Sequence, residues 1–88
     1  MSQFNDAKFN LLKAIATQQE QLENGWHPDW NDLQEKRYII KYNTEYNRLY
    51  CVRAPIYRAF ATVYFKSLKV ANSVLLAFKN DLLDMFNG

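Results

Sequence analysis

Residues 37–53 read Arg-Tyr-Ile-Ile-Lys-Tyr-Asn-Thr-Glu-Tyr-Asn-Arg-Leu-Tyr-Cys-Val-Arg, and the arrangement of the whole chain depends on this stretch. Residues 37–43 and 48–53 are rich in aromatic and β-branched side chains, a composition typical of strands. The intervening Asn43-Thr44-Glu45-Tyr46-Asn47 contains side chains that favour turns. The pattern predicts an antiparallel hairpin, whose second strand ends at Ala54-Pro55.

A third strand is expected downstream, within residues 57–64. Its centre is predicted at Phe60-Ala61-Thr62-Val63-Tyr64, which is again aromatic and β-branched. The three strands would then follow one another along the chain as an antiparallel meander.

Amphipathic helices are predicted on both sides of the strands. Residues 2–23 carry apolar side chains at three-, four- and seven-residue spacings, and Asn24-Gly25 ends the repeat. Residues 68–86 repeat the pattern, with Ser67 as a helix N-cap. The apolar positions of the first helix are Phe4, Ala7, Leu11, Leu12, Ala14, Ile15 and Leu22. Those of the second are Ala71, Val74, Leu75, Phe78, Leu82, Met85 and Phe86.

The predicted fold is therefore α+β, in the order α-β-β-β-α. A chain of 88 residues is expected to form one domain, residues 1–88. Two helices packed on one face of a three-stranded antiparallel sheet would leave the other face in water. Trp26 and Trp30, in the loop at residues 25–36, are predicted to close the end of the core between the first helix and the hairpin.

Few side chains here could carry out chemistry. The chain has one histidine, His27, and one cysteine, Cys51. His27 with Asp29 or Asp32 falls short of the three or four ligands that zinc requires. Cys51 is better explained as a buried thiol than as a nucleophile paired with His27. Asp29 or Asn31 is expected to cap a turn. We expect no enzyme activity, no cofactor and no metal.

The hydropathy of the chain gives no sign of a membrane protein. Its apolar runs are only a few residues long, far short of the ~20 that a spanning helix needs. The first residues lack the basic and apolar regions of a secretory signal. With an unpaired cysteine, this predicts a cytoplasmic location and no membrane partner.

The charge is unevenly distributed. The net charge of the chain is +2, but residues 1–36 carry −3 and residues 37–66 carry +5. All six tyrosines lie in the basic segment. Arginine and tyrosine are enriched at protein–protein hot spots, and they also track phosphates and stack on bases. The predicted partner-binding residues are Lys41, Arg48, Tyr50, Arg53 and Arg58. Tyrosine is also an ordinary strand residue, so a merely solvated face is the competing interpretation.

Three segments together resemble a known group of proteins. They are Glu23-Asn24-Gly25-Trp26-His27-Pro28-Asp29-Trp30-Asn31-Asp32, the hairpin at 37–53, and Val63-Tyr64-Phe65-Lys66-Ser67 leading into a helix with Ala71. The pattern is similar to that of small accessory proteins and domains of bacteriophages and prophages, over about residues 8 to 86. The resemblance implies an origin in a mobile element and an α+β fold. It transfers no catalytic or binding residue to this sequence.

These observations favour a non-enzymatic interaction protein that acts in a bacterial host. The expected role is to bind and modulate a host protein or nucleoprotein, for example a component of antiviral defence such as a CRISPR effector. The alternative is a small nucleic-acid-binding module that uses the basic, tyrosine-rich sheet face. A third possibility is an assembly protein that associates with itself.

Overall fold

The computed structural model of the chain describes residues 3–59 and 62–87, with side chains from residue 7 onward. Over these ranges it is an α+β fold with three helices and two strands. In chain order these are α1 (Gln3–Leu22), β1 (Tyr38–Asn43), β2 (Arg48–Arg53), α2 (Leu68–Ala77) and α3 (Lys79–Asn87). No helix in the described ranges is both long enough and apolar enough to cross a bilayer.

The predicted hairpin is confirmed. β1 and β2 pair antiparallel, in a register that runs from Tyr38 opposite Arg53 to Asn43 opposite Arg48. The Asn43 side chain holds the turn, because its Oδ1 accepts the backbone N–H groups of Glu45 (2.9 Å) and Tyr46 (3.2 Å). Asn47 completes it at φ 50°, a left-handed conformation that asparagine tolerates better than most residues.

Within the described residues the sheet has two strands, where three were predicted. Tyr38 and Phe65 form a single antiparallel bridge, with N–H···O distances of 2.8 and 2.9 Å in the two directions. Residues 62–64, inside the predicted third strand, are not in a strand, and residues 60 and 61 lie outside the described part of the chain. Extension of the pairing beyond Phe65 is prevented because α2 begins at Leu68, with Ser67 as its N-cap.

The predicted packing of two helices side by side on one sheet face is also not reproduced. α2 packs against both strands, whereas α1 packs chiefly against α2 and α3. The reason is width. Neighbouring strands are about 4.8 Å apart, so two strands form a ribbon roughly as wide as one helix with its side chains. One helix layer covers the ribbon, and α1 forms a further layer.

The second predicted helix, 68–86, is interrupted at Phe78. Phe78 caps α2 with φ −110° and ψ 15°, and α3 begins at the next residue. The hydrogen-bond ladder continues across the break, because Phe78 N–H donates to Val74 O (3.0 Å) and Leu82 N–H donates to Phe78 O (2.9 Å). The predicted N-cap is confirmed, since the Ser67 hydroxyl accepts Val70 N–H at 3.3 Å.

The core lies between the helices and one face of the hairpin. Its buried cluster contains Ile15, Leu49, Phe65, Ala71, Val74, Leu75 and Leu82. On α1 the prediction was wrong at four positions, because Ala7, Ala14 and Leu22 are exposed and Gln19, which is not among the apolar positions, is buried. Phe4 lies outside the part of the chain with described side chains, and Phe86 of the second predicted helix is exposed as well. Burial of Gln19 is tolerated since its Nε2 donates to the Glu23 carboxylate (2.9 Å) and to Trp26 O (3.1 Å).

Glu23 links two of the sequence motifs that lie far apart in the chain. Its carboxylate accepts Lys66 N–H at 2.9 Å through Oε1 and Ser67 N–H at 2.8 Å through Oε2. These donors stand at the N-terminus of α2, where a negative charge is favourable. The bonds fasten the end of α1 to the start of α2.

Replacement of Glu23 by glutamine should lower the free energy of unfolding by about 1–3 kcal/mol. Glutamine has nearly the same shape but no charge, and one of its two acceptor positions becomes a donor that faces a backbone N–H. Glu20 is a matched control, since it is exposed on the same helix, and Glu20→Gln should change stability by about 0.5 kcal/mol or less. Chemical denaturation of the two variants measures the difference. Equal stabilities would show that the Glu23 bonds contribute nothing net.

Candidate functional site

The structure brings three of the five predicted partner-binding residues together on one face of the hairpin. Lys41 lies directly opposite Tyr50 in the register, and Arg48 is two residues from Tyr50 on the same strand. Alternate residues of a strand point to the same face. All three are exposed, and none of them has a hydrogen bond or ion pair with another side chain in the described ranges. We call Lys41, Arg48 and Tyr50 the basic face.

The basic face occupies only one end of the hairpin. At the other end of the same sheet face, Ile39 lies opposite Val52 and is only 8% exposed. That end of the sheet face is therefore buried, whereas the sequence analysis predicted that the whole face would be exposed to solvent. The open part begins at Lys41 and reaches the turn.

Arg53 and Arg58 do not belong to the basic face. Arg53 lies opposite Tyr38, so its side chain leaves the sheet on the other face, at the far end of β2. Arg58 lies beyond the hairpin, where its guanidinium carbon is 5.5 Å from the centroid of a Trp30 ring. The five predicted residues therefore fall in three places, and a single contact surface cannot use all of them in the same way.

The two tryptophans line a separate cleft of about 680 Å³, which α1 borders together with residues 58–59 and 62–64. Trp30 packs edge-to-face on Tyr64 with ring centroids 5.0 Å apart. Both indoles are half-buried and neither joins the core cluster. The prediction that the tryptophans close the end of the core between the first helix and the hairpin is therefore not reproduced. They line a cleft beside α1, and Trp30 packs on a ring of the segment before α2.

Arg37 is buried and makes several internal contacts in the described part of the chain, and it was not among the residues singled out from the sequence. It is 4% exposed, and its guanidinium carbon lies 4.4 Å from the centroid of a Trp30 ring. Its Nη2 donates to Asp32 O at 3.0 Å and lies 3.5 Å from the Glu35 carboxylate. A signal was present: Arg37 directly follows the acidic loop and precedes a strand, where its side chain can turn back onto that loop.

The acidic loop residues act as turn caps. Asp29 Oδ1 accepts Asn31 N–H at 3.0 Å, as predicted, and Asp32 Oδ1 accepts Gln34 N–H at 2.9 Å. Within the described residues, no group of three or more His, Cys, Asp or Glu side chains is arranged to hold a metal ion. These carboxylates accept hydrogen bonds from backbone N–H groups of their own loop.

Cys51 and His27 lie in different clefts, so the structure does not bring together the one thiol and the one imidazole. Cys51 is half-buried against the core, and this burial raises the pKa of its thiol because the thiolate is poorly solvated there. His27 is exposed in the tryptophan cleft. The thiol is placed as a packing side chain.

A cleft of about 630 Å³ runs beside the basic face, and sequence reasoning did not anticipate it. It separates β2 from α2 and is lined by the strand residues 48–51 together with Asn72, Leu75 and Leu76. Leu76 is 70% exposed at its rim. The sequence contained a signal for this cleft, because Leu76 is apolar but lies outside the predicted apolar stripe of helix 68–86.

Comparison with protein-family models, with curated proteins and with solved structures gives no significant match for this chain.

Proposed function

We propose that this chain is a non-enzymatic interaction protein that binds an acidic region of another protein through the basic face. The observation that carries the proposal is the exposed cluster of Lys41, Arg48 and Tyr50, whose side chains make no internal pairing with the described residues. Exposed charges contribute little to folding, and they govern the encounter with a partner and its specificity. Tyr50 adds amphipathic contact area between the two cations.

The motif resemblance extends this proposal to the identity of the partner. Phage and prophage accessory proteins act inside a bacterial cell, so the partner would be a host protein or nucleoprotein in the cytoplasm. An inhibitor of antiviral defence, such as a protein that blocks a CRISPR effector, is one role of this kind. Support for this extension comes from the three sequence segments and from the small size of the chain.

Neutralising the basic face should weaken partner binding at least tenfold, which corresponds to a loss of about 1.4 kcal/mol or more. The variant Lys41→Gln/Arg48→Gln removes two charges from the face. The matched control Lys69→Gln/Lys79→Gln removes two exposed charges from the helices and should bind normally. Immobilised wild-type protein and both variants are incubated with nuclease-treated bacterial lysate, and the recovered proteins are quantified by mass spectrometry.

Two results would contradict the proposal. Equal losses in the two double variants would show that only the total charge of the chain matters. Tight binding of a short single-stranded oligonucleotide that weakens steeply with salt, together with no protein recovered after nuclease treatment, would favour the nucleic-acid module. Thermal melts of each variant separate a binding defect from unfolding.

A further inference from the structure

The outer edge of β2 has free backbone hydrogen-bonding groups at known positions. Tyr38 exchanges both of its backbone bonds with Phe65, and Ala54 N–H donates to Arg37 O at 2.8 Å. Bonding groups alternate along an antiparallel pair, so Arg48, Tyr50 and Val52 point theirs at β1. The N–H and C=O groups of Leu49, Cys51 and Arg53 therefore point outward. Within residues 3–59 and 62–87, no backbone group pairs with this edge.

This edge forms one wall of the cleft against α2, so a third strand laid along it would contact two different surfaces. One row of its side chains would lie beside the basic face, near Lys41 and Arg48. The alternate row would point into the cleft, toward Leu75 and Leu76. A segment that alternates acidic and apolar residues is complementary to both.

A second copy of this chain is a poorer match for the edge than an acidic strand. Pairing of β2 with itself would bring together two strands that each carry two arginines and no acidic residue. Like charges placed opposite each other in a sheet are destabilising, and charged side chains at an edge are a common protection against such pairing. The same charges attract an acidic strand.

We infer that β2 accepts an extended segment of a partner protein as a third strand, and that this segment alternates acidic with apolar residues. The inference rests on the proposed function and specifies how the partner binds. Backbone bonds to Leu49, Cys51 and Arg53 supply the pairing. The basic face and the cleft select the side chains.

The probe is a fluorescein-labelled peptide of four Glu-Val repeats. It is compared with two other peptides: the same sequence with N-methyl groups on those alternate backbone nitrogens that would face β2, and an analogue of Lys-Val repeats. We expect anisotropy to show binding of the Glu-Val peptide, at least tenfold weaker binding of the N-methylated peptide, and none of the Lys-Val peptide. Amide exchange should slow at least tenfold at Leu49, Cys51 and Arg53. The amides of Arg48, Tyr50 and Val52, already bonded to β1, should change much less.

A backbone variant tests the same edge from the protein side. Cys51→Pro removes an outward N–H, a position at which edge strands tolerate proline, and it should weaken peptide binding at least tenfold relative to Cys51→Ala. Should Cys51→Pro fail to fold, the N-methylated peptide and the amide exchange still decide the question.

The inference is overturned by equal affinity for the methylated and unmethylated peptides, or by unchanged amide exchange at the highest soluble peptide concentration. Failure of this inference is distinguishable from failure of the proposed function. A folded Cys51→Pro variant that recovers the lysate partner normally, while Lys41→Gln/Arg48→Gln does not, removes strand addition and leaves the basic face in place. Normal recovery by Lys41→Gln/Arg48→Gln removes the basic face itself.

Discussion

Replacement of Arg37 by alanine should lower the free energy of unfolding by about 3–5 kcal/mol. The substitution leaves the Asp32 carbonyl and the Glu35 carboxylate without their buried cationic partner, and it removes the guanidinium from the Trp30 ring. Removing one member of a buried charged network carries a cost of this size. The free energy of unfolding of a domain of this length is roughly 4–13 kcal/mol, at about 0.05–0.15 kcal/mol per residue. The variant should therefore unfold at a much lower urea concentration than the wild type.

Arg53→Ala is the matched control, because Arg53 is exposed and its loss should change stability by about 0.5 kcal/mol or less. Arg37→Lys should recover little, since an ammonium group cannot stack as a plane on the indole while it bonds to two groups of the loop. Urea titrations followed by tryptophan fluorescence and by circular dichroism measure all three variants. If Arg37→Ala lies within about 1 kcal/mol of wild type, the buried guanidinium contributes no net stability.

Phe65→Ala should be comparably destabilising, at about 3–5 kcal/mol. The Phe65 side chain is fully buried, at 0% exposure, in the cluster that joins all three helices to the hairpin. Truncation leaves a cavity in this cluster. The backbone of residue 65 cannot move inward to fill it, because two hydrogen bonds to Tyr38 hold it in place. Phe65→Leu keeps most of the volume and should lose about 1.5 kcal/mol or less.

Phe9→Ala serves as the comparison for Phe65, since that ring is 66% exposed on α1 and should lose far less stability when truncated. Thermal melts at equal protein concentration rank the three variants. Equal melting temperatures for Phe65→Ala and Phe9→Ala would mean that Phe65 is not the centre of the core.

The parts of the fold that follow from local chemistry could be predicted from sequence. The hairpin depends on strand-forming residues around turn-forming asparagines, and α1 ends where Asn24 and Gly25 adopt φ 54° and 76°. The parts that depend on distant partners could not. Whether residues 62–65 extend a sheet depends on how soon α2 begins. The break at Phe78 occurs where there is neither glycine nor proline to signal it.

The candidate site divides in the same way. The basic composition of the hairpin pointed to Lys41, Arg48 and Tyr50, and the structure groups these three. Composition alone cannot assign a face, however. Counting by two along β2 would have separated Arg53 from Arg48, because residues an odd number apart point to opposite sides. Arg37 was counted in the basic composition of the hairpin, but its charge is used internally by contacts with Asp32 and Glu35. These contacts depend on the conformation of the loop, which was not predicted from the sequence.

The Glu23 carboxylate has a consequence for the order in which the molecule folds. Its bonds to Lys66 and Ser67 span 43 and 44 residues, and both strands of the hairpin lie inside that loop. Closing a long loop costs chain entropy before any contact compensates it, whereas α1 and the hairpin need only neighbouring residues. We therefore expect the Glu23 contact to form after the hairpin has shortened the path between its ends. The last turn of α1 and the first turn of α2 then act as one cooperative unit that opens together.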